Sequence, residues 1–176
     1  MFLSKYPFYL VQFGGEDLKL GIYGIATLDA SSSLSKDEFA HVELGIVVAL
    51  DIEAGVFKLE SQLSPRSFVL AEVCPVAGVI AFYSWFKADT SKNIVAGDWV
   101  LSLGGYHQAF KAPANYPRPP RLGINWSLDA SLRITGVAYF AITPKICMGG
   151  GRLHVALSLG KLYVMVEIGF NQVDKL

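Results

Sequence analysis

Charge is scarce in this chain. Charged residues make up 17% of its 176 residues, against about 25% in an average soluble domain. The 15 basic side chains are balanced by 15 acidic ones, for a formal net charge of zero. With no positive excess there is no electrostatic footprint for a phosphate backbone, which removes nucleic acid from the expected partners. Cysteine is scarce as well. Cys74 and Cys147 are the two present. They are too few for a disulfide framework and read as buried thiols of a cytoplasmic protein.

Long apolar runs are missing. The longest uncharged stretch, residues 73–86, falls short of the roughly 20 residues a helix needs to cross a bilayer, and Pro75 interrupts it. The opening residues, Met1-Phe2-Leu3-Ser4-Lys5-Tyr6-Pro7, lack a basic region followed by an apolar stretch, so no secretory signal is expected. The sequon Asn125-Trp126-Ser127 then reads as chance. Alternating strands and 12% aromatics would suit a membrane barrel, yet several strands set charges opposite their apolar face, as a soluble sheet also does. Helical signals are few. Ser35-Lys36-Asp37-Glu38 resembles a capping box, but no helical period follows, and one turn is the most it predicts.

Apolar residues, by contrast, are abundant. They form 52% of the chain, with a mean hydropathy of +0.40, ample to offset chain entropy. So high a value implies apolar surface covered by a partner, a lipid or a further segment. Near-neutral charge also favours self-association.

These residues recur with period two. Leu18, Leu20, Ile22, Ala26 and Leu28 share one face of a first strand, and Val42, Leu44, Ile46, Val48, Leu50 and Ile52 that of a second. Phe57, Leu59 and Leu63 face away from Lys58, Glu60 and Gln62, so a third strand is wet on one side. Glu53-Ala54-Gly55 makes the turn between the last two, and Ser64-Pro65-Arg66 ends the third. Further strands are expected over 67–73, 78–87, 97–104, 122–128, 132–142, 152–159 and 162–170. The one over 78–87 is apolar on both faces and so central. Gly149-Gly150-Gly151 and Gly160-Lys161 are read as turns. The fold expected is all-β: a single domain, an antiparallel meander of about nine or ten strands, forming an open curved sheet or a sandwich.

Signatures of common chemistry are absent. His41, His107 and His154 have no partner at metal-ligand spacing, so neither a metal nor a cofactor is expected. There is no G-x-S-x-G elbow, and the glycine triplet lacks the lysine and helix of a phosphate loop. His107 sits in Gly104-Gly105-Tyr106-His107 at a strand end, where loop-borne polar groups often carry function. With Tyr106 and Asp98 it forms the candidate catalytic set, with Ser102 near in sequence, against a plain structural role for the imidazole. His154 reads as facing solvent or a partner. The proline-rich loop 105–120 carries Pro113, Pro117, Pro119 and Pro120. Along it and just beyond, Lys111, Arg118 and Arg121 alternate with Phe110 and Tyr116. Phe110, Tyr116, Arg118 and Arg121 are the candidate binding residues. The alternative is a strap that protects a sheet edge from pairing.

An ordered series runs through Gly97-Asp98-Trp99, Leu103-Gly104-Gly105-Tyr106-His107, Tyr116-Pro117, Pro120-Arg121-Leu122-Gly123, Trp126, Tyr139-Phe140-Ala141-Ile142-Thr143-Pro144 and Met148-Gly149-Gly150-Gly151. It resembles a family of large, β-rich bacterial and fungal proteins known only as a domain of unknown function. The match covers most of the chain to about Leu159, and residues 1–96 fit more loosely. The resemblance carries no catalytic or cofactor residue with it. It implies that the chain is a short or incomplete member, and that the strand after Gly160, lacking the expected Asp-Phe and Trp-Pro-Phe elements, is atypical.

The leading expectation is a non-enzymatic β-rich binding or scaffold domain that associates with itself or another protein, through an unpaired sheet edge. The alternatives are a carrier of a hydrophobic small molecule or lipid, and an isomerase- or cyclase-type enzyme acting on a hydrophobic substrate of specialised metabolism.

Overall fold

Alternation becomes pairing in the computed structural model, which describes residues 2–5, 9–13, 19–31, 38–127 and 129–176. Among them lie thirteen strands in one open sheet, every pair antiparallel. They are β1 (Phe2–Lys5), β2 (Tyr9–Phe13), β3 (Lys19–Ser31), β4 (Glu38–Asp51), β5 (Val56–Leu63), β6 (Phe68–Val69), β7 (Val76–Ala77), β8 (Val79–Trp85), β9 (Trp99–Leu103), β10 (Leu122–Ser127), β11 (Leu132–Ile142), β12 (Ile146–Leu159) and β13 (Leu162–Lys175). One 3-10 turn, Thr90–Lys92, is the helical element among the described residues. The all-β antiparallel expectation holds. The strand count exceeds nine or ten because β7 and the two strands before residue 14 are too short to alternate visibly. The expected capping box at 35–38 falls mostly outside the described residues.

The sheet runs β3-β4-β5-β8-β9-β11-β12-β13, and the apolar β8 is central as expected. Both β1 and β2 line the outer side of β3. β9 and β10 are two halves of one interrupted strand. Leu103 pairs with Phe140 and Leu122 with Ala138, so the chain leaves the sheet at Gly104 and returns after Arg121, opposite Tyr139. The neck of this excursion is tight. A Cβ on Gly104 (φ 71) would lie 2.6 Å from both the Ala138 carbonyl oxygen and the Leu122 nitrogen, so glycine is required there.

Gly55 (φ 66) and Gly160 (φ 61) close the hairpins expected of them. The glycine triplet differs: Gly149-Gly150-Gly151 lies within β12 and does not turn the chain. The turn sits earlier, at 143–145, where the Thr143 hydroxyl accepts from the amides of Lys145 (3.3 Å) and Ile146 (3.1 Å). The triplet instead leaves room for neighbouring rings. The strand expected over 67–73 shrinks to β6, because the chain turns at 70–74 and the Cys74 amide bonds back to Ala71.

Register sorts the side chains into two faces. One face carries Val48, Leu59, Phe82, Leu101 and Ile142 in one row, Ile80, Leu103 and Phe140 in the next, and Ile124, Leu153 and Ile168 further along. The other face carries Lys58, Glu60, Arg133, Arg152 and Glu167. The core nevertheless lies on this second face. Among the described residues every buried hydrophobic side chain within a strand (Val56, Phe68, Ala81, Trp85, Val100, Tyr139, Ala141 and Met148) points there, and the two core clusters lie under the loops at 86–98 and 104–121. On the apolar face Phe140 is 40% exposed and Ile168 64%. The accessible surface is 11772 Å², about 3,300 Å² above what a compact chain of this mass presents.

Candidate functional site

The 104–121 excursion is held at its neck by Arg121. Its Nη1 donates to the Gly104 carbonyl (3.2 Å) and its Nη2 to that of Tyr106 (2.6 Å). The guanidinium carbon stands 4.0 Å from the centre of the Tyr139 ring, a cation–π contact suited to the planar arginine head. Across the ladder from Tyr139 is Gly150. The Ser102 hydroxyl, fully buried, donates to the Gly105 carbonyl at 3.0 Å.

Beyond the neck the loop folds down on its own aromatics. Tyr116 stacks on Trp85, with centroids 5.5 Å apart and planes 12° from parallel. Its hydroxyl lies 3.1 and 3.2 Å from the two Asp98 carboxylate oxygens. Burial and the Asp98 charge both push the Tyr116 phenol well above its ordinary range. Tyr106 packs against Phe110 (5.3 Å) and joins both core clusters. Burial raises its phenol to about 12, which Ser102 and the Arg118 charge only partly offset. The loop thus lies over a sheet face and does not strap an edge.

His107 is held from two sides. Its Nδ1 accepts from the Ala109 amide at 3.1 Å, and its own amide points at Met148 Sδ, 3.5 Å away. With Nδ1 accepting, the neutral ring carries its proton on Nε2.

These elements enclose a cleft of about 600 Å³, lined by residues 104–107, 110–112 and 118–121. Of the sequence candidates, Tyr106, His107, Phe110, Arg118 and Arg121 meet there. Asp98 and Tyr116 do not line it; they bond to each other beneath the loop. Tyr139, Trp85 and Met148 support the site and were not singled out by composition or spacing. The signal for Tyr139 was its place, alternating with exposed Phe140, in a strand facing the glycine triplet.

The remaining candidates lie elsewhere. His41 bonds Asp29 (2.6 Å) and stacks on Phe68. His154 is half-buried, paired across strands with Thr135 and Glu167. Cys74 is fully buried, which raises its thiol, and Cys147 is half-buried; both are free. Among the described residues no three His, Cys, Asp or Glu side chains gather to hold a metal, and no helix is long and apolar enough to cross a membrane.

A model described as a family of unknown function, DUF6603, matches residues 8–173. The chain belongs to the DUF6603 family. No curated protein and no solved structure matches it. The DUF6603 match takes in the interrupted strand, the loop neck and the glycine triplet. It also passes Gly160 and covers nearly all of β13, so the last strand belongs to the DUF6603 region even though its sequence departs from the expected elements.

Proposed function

We propose that this DUF6603 chain is a non-enzymatic binding or scaffold domain, which works by laying its apolar sheet face against a second β-sheet. For this chain in solution the second sheet is another copy of itself. One observation carries the reading: an apolar face runs from β4 to β13, neither core cluster lies on it, and the exposed surface is 11772 Å². Sheets packed face to face at about 10 Å bury such side chains between them. A stable interface takes about 800 Å² from each partner, well below the surplus. The edge strand β13, paired only with β12 among the described residues and exposed along its length, adds to the tendency to associate.

The candidate catalytic groups favour binding over turnover. A general base must have a free acceptor in reach of its proton. The Nδ1 of His107 is engaged by Ala109, Asp98 by Tyr116 and the Trp99 amide, and Tyr106 stays a phenol at neutral pH. Sedimentation of the detergent-free protein tests the reading. Association should rise with concentration, and the double variant F140E/L153E, altered at two partly exposed positions of the apolar face, should sediment as a folded monomer. A wild-type monomer, or a variant that associates equally well, would overturn it.

A second reading, a carrier of a hydrophobic small molecule or lipid, is favoured by a trough of about 340 Å³ on the same face. Its floor is Gly136 and Gly151, and its walls include Leu122, Ile124, Leu153, Ile168 and Phe170. Native mass spectrometry showing a retained apolar molecule would favour it, and a bare oligomer would count against it.

A further inference from the structure

We infer that the cleft formed by the 104–121 loop is a binding site for a small organic anion, a carboxylate or phosphate ester on an aromatic or aliphatic body. Its volume, about 600 Å³, lies within the range of small-molecule sites, about 300–1,000 Å³.

The charge argument comes first. Lys111, Arg118 and Arg121 line the cleft, and no carboxylate does. Between Asp98 and Asp129 the sequence contains no Asp or Glu at all. Some cations elsewhere are ion-paired: Lys92 lies 2.9 Å from Asp89, Arg152 3.3 Å from Glu167 and Arg66 3.7 Å from Glu43. The three loop cations form no ion pair among the described residues. In a chain of zero net charge, three cations around one concavity focus a positive field that no carboxylate in its lining neutralises.

Geometry then assigns roles. Arg121 is fixed by two carbonyls and by Tyr139, so its charge stays in the cleft lining and little side-chain freedom is lost when an anion arrives. Lys111 and Arg118 are exposed at the rim and free to close over a bound group. The protonated Nε2 of His107 is a further donor beside them. Tyr106, Phe110, Pro119 and Pro120 supply the apolar lining that a purely inorganic anion would not use. The cleft lies on the loop-covered face, opposite the apolar one, so this inference does not depend on the reading of that face.

Isothermal titration calorimetry with 2-naphthoate, uncharged 2-naphthamide and phenyl phosphate tests it. One of the two anions should bind with unit stoichiometry, at least about tenfold tighter than the amide, and weaken as salt is raised. K111Q/R118Q should lower anion affinity about tenfold and leave the amide unchanged. Both positions are exposed, so the fold survives the substitution. F140E/L153E should bind the anion as the wild type does, which separates the two faces. Equal affinity for anion and amide, no binding of either anion, or an unaffected K111Q/R118Q variant would overturn the assignment. The preferred anion distinguishes carboxylate from phosphate.

Discussion

Tyr139 faces Gly150 across the β11–β12 ladder and occupies the space that any side chain at position 150 would need. A Cβ there would lie 2.6 Å from Tyr139 Cε1, 2.7 Å from its hydroxyl oxygen and 2.5 Å from Asn171 Oδ1. The same ring carries the Arg121 guanidinium, and Arg121 ties the loop neck. A missing methyl group on one strand therefore leaves room for the ring on which the loop-neck arginine rests.

Gly150→Ala should destabilise the protein by about 1–3 kcal/mol through overpacking and loosen the loop. Gly149→Ala is its control, because a Cβ there meets nothing closer than 3.7 Å. Urea unfolding gives the stability and limited proteolysis within 105–120 reads the loop. Equal effects at the two positions would remove the contact explanation.

Arg121→Lys keeps the charge and loses the fork. An ammonium cannot reproduce two guanidinium bonds to separate carbonyls while stacking on a ring. The expected cost is about 1–3 kcal/mol, from a buried carbonyl left without its charged donor. Faster cleavage in the loop should accompany it, and unchanged cleavage would mean the neck is held by other contacts.

Alkaline pH should unfold the protein early. Tyr83, Tyr106 and Tyr116 all have phenols raised by burial, Tyr106 to about 12, and Glu60 and Asp98 add to the effect at the other two. A raised acid pKa means the folded state holds its proton longer than the unfolded chain. The contribution is therefore complete below pH about 10 and lost as pH climbs from there through the folded values. Stability should stay flat from pH 7 to 9 on their account and fall steeply above 10. Tyr106→Phe, which removes a hydroxyl that makes no hydrogen bond of good geometry among the described residues, should shallow that fall and raise stability modestly at pH 7, as the loss of an unpaired buried hydroxyl does. Urea midpoints across pH check both.

Ser61→Ala should stabilise the fold. Ser61 is buried on the apolar face between Ile46 and Ile80, and its hydroxyl has no partner among the described residues. An unsatisfied buried hydroxyl costs about 1–3 kcal/mol, so a gain near the lower end is expected, read as a higher urea midpoint. A loss would show that the hydroxyl is satisfied after all.

Much of the site was legible in the residues. The glycines at the strand end, the prolines and the alternating cations and rings drew attention to 104–121, and five of the seven candidates line the cleft. The other two lie outside it. Asp98 and Tyr116 are far from one another along the chain, and only the fold of the loop turns them into a bonded pair under its surface. The glycine triplet misled because glycine permits both a tight turn and a close side-chain approach. Nothing local separates the two.

The sequence by itself determined that this protein is a sheet, where most of its strands run, and which side chains alternate. Period two is written residue by residue and needs no partner strand to be read. Only the tertiary structure decided that β9 and β10 are one strand interrupted by a loop, that the core lies under that loop, and that the more apolar face stays uncovered. Register and the stacking of a loop on one face are set by contacts between residues far apart in the chain, and no local pattern encodes which face the loop will choose.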